Sequence, residues 1–104
     1  MRSITPKELK EKIDQGEEVV LIDVREQNER ELCHIGGTLV PLGQIPARID
    51  EIPKQGDVVI YCRSGGRSGK AIEFLESQGY TNLINLAGGV LRWSDDVDSS
   101  VVKY

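Results

Sequence analysis

The sequence predicts an α/β fold, a three-layer sandwich with a mostly parallel central sheet and helices on both faces. Three observations carry this expectation. Residues 19–22, 58–61 and 83–86 are short, largely apolar runs rich in β-branched side chains, the pattern of strands covered on both faces. Segments with helical caps and helical spacing alternate with them, which implies crossover connections between parallel strands. A chain of 104 residues with 38% hydrophobic content suits one core, so a single domain over residues 1–104 is expected.

Thr5-Pro6-Lys7-Glu8 reads as a capping box with proline at the first helical position, followed by Leu9 and Ile13 on one face, so a first helix should end near Gly16. The strand at residues 19–22 runs into the polar Asp23-Val24-Arg25. A short charged helix near Glu26 to Leu32, a loop through His34-Ile35-Gly36-Gly37, a short strand at Leu39-Val40 and a helix from about Gln44 to Glu51 should follow.

The strand at residues 58–61 leads directly into Cys62-Arg63-Ser64-Gly65-Gly66-Arg67-Ser68. The next helix carries Ala71, Ile72 and Leu75 on one face and closes at Gly79, a C-terminal capping glycine. After the strand at residues 83–86 come Gly88-Gly89 and a last short helix with Leu91 and Trp93. Ligands of such folds sit beyond the carboxyl ends of the strands. The Cys62 loop lies at one of those ends.

The net charge of −4 offers no footprint for nucleic acid or an anionic membrane surface. There is no signal-like or membrane-spanning apolar run, so a soluble cytoplasmic protein is expected. Two cysteines, Cys33 and Cys62, suit a reducing compartment better than a disulfide scaffold. No obvious exposed apolar stripe is present, and a monomer is the default expectation.

The Cys62 loop carries the chemistry. Gly65 and Gly66 permit positive φ values, so successive N–H groups can turn inward around one point. The following helix adds the positive end of its dipole there. With Arg63 and Arg67 these groups should favour the Cys62 thiolate and hold an anion beside it. The plainer alternative is an inert cysteine at the end of an apolar strand. The polar neighbours Arg63, Ser64, Arg67 and Ser68 make such burial costly.

The chain resembles a single-domain rhodanese. The residues that carry the resemblance are Leu21-Ile22-Asp23-Val24-Arg25, His34-Ile35 with Gly37 and Pro41-Leu42, the Cys62–Ser68 loop, and Leu86-Ala87-Gly88-Gly89-Val90 with Trp93. They follow the family's order across almost the whole chain. The resemblance implies a thiosulfate sulfurtransferase with no metal or organic cofactor. Cys62 takes a sulfane sulfur from thiosulfate or a persulfide donor and holds it as a persulfide. The loop N–H groups stabilise that anion. A thiol, cyanide or a sulfur-carrier protein then accepts the sulfur.

Within that scheme the substrate-binding residues are Arg63, Ser64, Gly65, Gly66, Arg67 and Ser68, with Arg67 closing the cradle around the anion. Asp23 and Arg25 are expected to tie neighbouring loops together as structural support. His34 reads as a loop residue rather than a base, and Cys33, where relatives usually have glycine, as a small residue tolerated in a loop. Zinc binding by Cys33, His34 and Cys62 lacks any paired-cysteine spacing.

Two other classes compete. Phosphatases and arsenate reductases of related design need a longer loop than the four residues between Cys62 and Arg67. A non-catalytic binding module of rhodanese fold would have no use for Cys62. The tail, with Val97-Asp98 and the final Val102-Lys103-Tyr104, resembles the ends of rhodanese domains fused to adenylating enzymes, which sulfurate small carrier proteins.

Overall fold

The apolar run Val58–Tyr61 is the central strand of the molecule, and all four of its residues are buried. The computed structural model describes residues 1–104. In chain order its strands and α-helices are β1 (Arg2–Ile4), α1 (Pro6–Asp14), β2 (Val20–Asp23), α2 (Gln27–Leu32), β3 (Thr38–Leu39), β4 (Val58–Tyr61), α3 (Gly66–Ser77), β5 (Leu83–Leu86) and α4 (Gly89–Asp96). Two 3₁₀ turns, Leu42–Gln44 and Ile49–Glu51, lie between β3 and β4.

The five strands form one sheet in the order β1-β5-β4-β2-β3. Every pairing in it is parallel, so the sheet is wholly rather than mostly parallel. Side chains alternate across a strand, and β4 divides accordingly. Val58 and Ile60 join a core with Ala71, Ile72 and Leu75 of α3. Val59 and Tyr61 face the opposite layer, where Leu9 of α1 and Val90 and Trp93 of α4 close over them. These are the three layers the sequence implies.

The local signals explain the boundaries. Thr5 Oγ1 accepts from the Glu8 N–H at 3.1 Å and Glu8 returns the bond from the Thr5 N–H at 2.9 Å, the reciprocal box that starts α1. At the end of α3 the Gly79 N–H donates to the Glu76 carbonyl and the Tyr80 N–H to the Leu75 carbonyl. That is a Schellman motif with Gly79 in the left-handed region.

Four local expectations change. The strand β1 is added at the sheet edge, beside β5. Ile13 is exposed while Leu9 is fully buried, because the nine-residue helix α1 turns only a narrow face to the sheet. Val20 is also exposed, so β2 is covered on both faces only toward its carboxyl end. The helix expected over Gln44–Glu51 is instead the two 3₁₀ turns. Pro46 lies between them and has no N–H with which to continue a helical ladder.

Candidate active site

Register brings the site together. Asp23 of β2 pairs with Tyr61 of β4, and Ile60 of β4 pairs with Asn85 of β5, so the carboxyl ends of three adjacent strands meet around Cys62. The loop after β4 turns back sharply at Gly65, whose φ of 110° lies where only glycine sits without strain. Gly65 caps α3, and Gly66 is its first residue with an ordinary negative φ. One glycine rather than two therefore supplies the left-handed turn.

The turn wraps the sulfur. The Gly65 N–H donates to Cys62 Sγ at 3.0 Å, and Ser68 Oγ stands 3.4 Å away on the first turn of α3. Burial pushes the Cys62 thiol up, but the Ser68 hydroxyl and the N–H groups of Ser68, Gly65 and Ser64 outweigh it, and the thiol titrates below its ordinary value. Cys62 is 1% exposed, so its thiol sits beneath the loop rather than on the surface.

Beneath the ring the backbone is pinned by α4. The Val90 N–H donates to the Cys62 carbonyl at 3.0 Å and the Leu91 N–H to the Arg63 carbonyl at 3.1 Å. Gly89 makes this approach possible, since a Cβ there would lie 2.4 Å from both carbonyl oxygens.

The two loop arginines have partners within the chain. Arg67 donates to both carboxylate oxygens of Glu29, at 2.6 and 2.8 Å. That bond, more than any other contact, holds Glu29 down at about 2. The Tyr104 hydroxyl donates to the same carboxylate at 2.6 Å. Arg63 donates to the Tyr104 carbonyl, and its guanidinium lies over the Tyr104 ring, 5.1 Å from the centroid. The tail thus runs across the rim of the ring.

Asp23 and Arg25 are both fully buried and meet in a two-bonded pair at 2.9 and 2.8 Å. Arg25 also donates to the Cys33 carbonyl at 2.7 Å and to the Tyr104 hydroxyl at 3.1 Å. The pair links β2, the end of α2 and the tail. Arg30 extends the network by donating to Asp23 and to the Gly36 and Gly37 carbonyls. His34 is exposed, and its Nδ1 accepts the Gly36 N–H at 3.0 Å. Cys33 caps α2.

The family-model for the rhodanese-like domain matches residues 5–96. The chain belongs to that family. It is 41% identical over 95 residues to a sulfurtransferase of Allochromatium vinosum, a match covering 90% of this chain and 89% of that one. It is 32% identical to the probable adenylyltransferase/sulfurtransferase MoeZ of Mycobacterium tuberculosis, over 98% of this chain but only 27% of that protein. The crystal structure of a rhodanese-like domain protein from Staphylococcus aureus superposes with a TM-score of 0.85 at 35% identity, covering 93% of this chain and 95% of that one. These relatives support rhodanese-type sulfur transfer as the general chemistry of the chain.

Sequence reasoning missed Glu29, Asn85 and Tyr104. Glu29 and Arg67 are 38 positions apart, and only the fold brings them together. Asn85 carries a visible signal, a lone polar residue in an otherwise apolar strand.

Proposed function

We propose that the protein is a sulfurtransferase in which Cys62 carries the sulfur as a persulfide. The observation that supports this reading is the set of N–H groups of Ser64, Gly65 and Ser68 around Cys62 Sγ, that of Gly65 donating at 3.0 Å, which favours an anionic sulfur there. In the first half-reaction the Cys62 thiolate attacks the outer sulfur of thiosulfate or of a persulfide donor. A bond forms from Cys62 Sγ to that sulfur, and the old sulfur–sulfur bond breaks. Its electron pair leaves on sulfite or on the donor thiolate.

The terminal sulfur of the new persulfide occupies the cradle formed by Ser64, Gly65, Gly66 and Ser68. Arg67 and Arg63 supply positive charge at the rim to draw in an anionic donor. In the second half-reaction a thiol, cyanide or a sulfur-carrier protein attacks that sulfur, and Cys62 leaves as the thiolate. Asp23 and Arg25 act as structural support, holding the tail and the end of α2 against the site. The chemistry uses no metal or organic cofactor. The whole of residues 1–104 works as one domain in this reading.

Turnover of thiosulfate with cyanide tests the assignment. Cys62→Ser abolishes it while leaving the thermal transition in place, because oxygen for sulfur is nearly isosteric. Cys33→Ser retains most of it. A dead Cys33→Ser beside an active Cys62→Ser would place the reaction on the other thiol.

A further inference from the structure

We infer that Asn85 is a positioning residue of this site, acting through Ser68 to decide whether the hydroxyl proton beside Cys62 is given to the sulfur. The inference rests on the reading of Cys62 as the nucleophile.

A serine hydroxyl has one proton to donate. Three acceptors surround that of Ser68: Asn85 Oδ1 at 2.6 Å, the Gly65 carbonyl at 3.1 Å and Cys62 Sγ at 3.4 Å. The shortest bond goes to Asn85. The Asn85 amide is held in this orientation, because its Nδ2 donates to the Gly65 carbonyl at 3.2 Å. Flipping it would set carbonyl against carbonyl on one side.

With its proton on Asn85, Ser68 turns a lone pair toward Cys62. A protonated Cys62 completes the chain, Sγ–H to Ser68 Oγ and Oγ–H to Asn85 Oδ1. When Cys62 loses its proton to solvent, that lone pair faces an anion. Ser68 must then rotate its proton onto the sulfur and give up the bond to Asn85. No covalent bond other than Sγ–H breaks in this step. Asn85 therefore makes the thiolate scarcer than the ring of N–H groups alone would, and correspondingly more nucleophilic, since a thiolate loses intrinsic reactivity as its acidity rises.

The charged groups around the sulfur leave this switch as the local neutral control. Arg67 on α3 is the cation that feels Cys62, and it is paired with Glu29 of α2. From β2, Asp23 and Arg25 are turned to each other. Arg63 is drawn to the tail. The polar side chain of β5 at the site is the uncharged Asn85.

The test is the pH dependence of iodoacetamide alkylation of Cys62, measured in a Cys33→Ser background so that one thiol reports. Asn85→Leu and Asn85→Ala remove the competing acceptor and should each lower the titration midpoint by roughly one pH unit. The same substitutions on a Ser68→Ala background should leave the midpoint where Ser68→Ala alone puts it. An unchanged or raised midpoint in both variants would overturn the proposal. So would an equal shift with and without Ser68, because a merely structural Asn85 would not need the hydroxyl. Using two replacements of different volume guards against one that fails to fold. Alkylation reads the thiol and not sulfur transfer, so an alkylation profile as expected in a protein that takes up no sulfur would contradict the function alone.

Discussion

Arg67 and Glu29 form a two-bonded ion pair, at 2.6 and 2.8 Å, that ties the start of α3, just after the Cys62 loop, to α2. The arginine proposed to meet an anionic donor is thus already shared with a carboxylate. Glu29→Gln should leave Arg67 in place with its charge uncompensated and lower the KM for thiosulfate several-fold. Arg67→Ala should raise that KM with a smaller change in kcat, the signature of a lost ground-state contact. Steady-state kinetics on the two variants checks the opposite signs.

The same pair should make the protein acid-sensitive in a defined window. Glu29 is held at about 2 against an ordinary 4.5, so its folded-state value is depressed. The stability it contributes is complete above about 4.5 and is lost as pH falls toward about 2. Melting curves of wild type and Glu29→Gln should therefore lie furthest apart above this window and converge through it.

Gly89 is the position where a methyl group bears most directly on the backbone of Cys62. Its φ is 58°, and a Cβ would stand 2.4 Å from the carbonyls of Cys62 and Arg63. Neither backbone can retreat without disturbing the ring. Gly88 has a similar φ of 76°, and a Cβ there would stand 2.5 Å from Arg92 Cβ, which is fixed to the backbone of α4, so the clash falls on the helix and not on the carbonyls of Cys62 and Arg63. Gly89→Ala should destabilise by about 1–3 kcal/mol from backbone strain, with the carbonyl clash in addition. It should also slow Cys62 alkylation, whereas Gly88→Ala should destabilise as well but leave alkylation nearer wild type. Chemical denaturation and the alkylation rate separate the two.

The buried Asp23–Arg25 pair should be intolerant of single replacement. Both side chains are fully buried, and removing one leaves Arg25 with no carboxylate or Asp23 with only the 3.4 Å contact to Arg30, a loss of about 3–5 kcal/mol. Asp23→Ala and Arg25→Met should each fall in that range by denaturant melts. Arg25→Lys should rescue little, because an ammonium cannot reproduce the fork that reaches Asp23, the Cys33 carbonyl and Tyr104 together.

What the sequence made legible was local. Thr5 and Glu8 sit three positions apart and form their box without help from the rest of the chain. Cys62 and Ser68 lie only six positions apart, across the loop and the first turn of α3, so the proposed cradle could be read from neighbouring letters. The apolar runs announced β2, β4 and β5 because parallel strands in a three-layer fold are covered on both faces. The strand β1 was not legible, since Arg2-Ser3-Ile4 is too short and polar to carry a pattern and pairs only because β5 offers an edge. Nor were the partners of Arg67 and Arg63. Glu29 and Tyr104 reach them across the fold, and spacing along the chain holds no trace of such contacts.

The central claim is that Cys62 carries sulfur, and the most direct test is the intact mass of the protein after incubation with thiosulfate. The wild-type protein should gain the mass of one sulfur atom and lose it again on a thiol rinse, and Cys62→Ser should gain nothing. A wild-type mass that stays unchanged with thiosulfate and with a persulfide donor, or an equal gain in Cys62→Ser, would contradict the account.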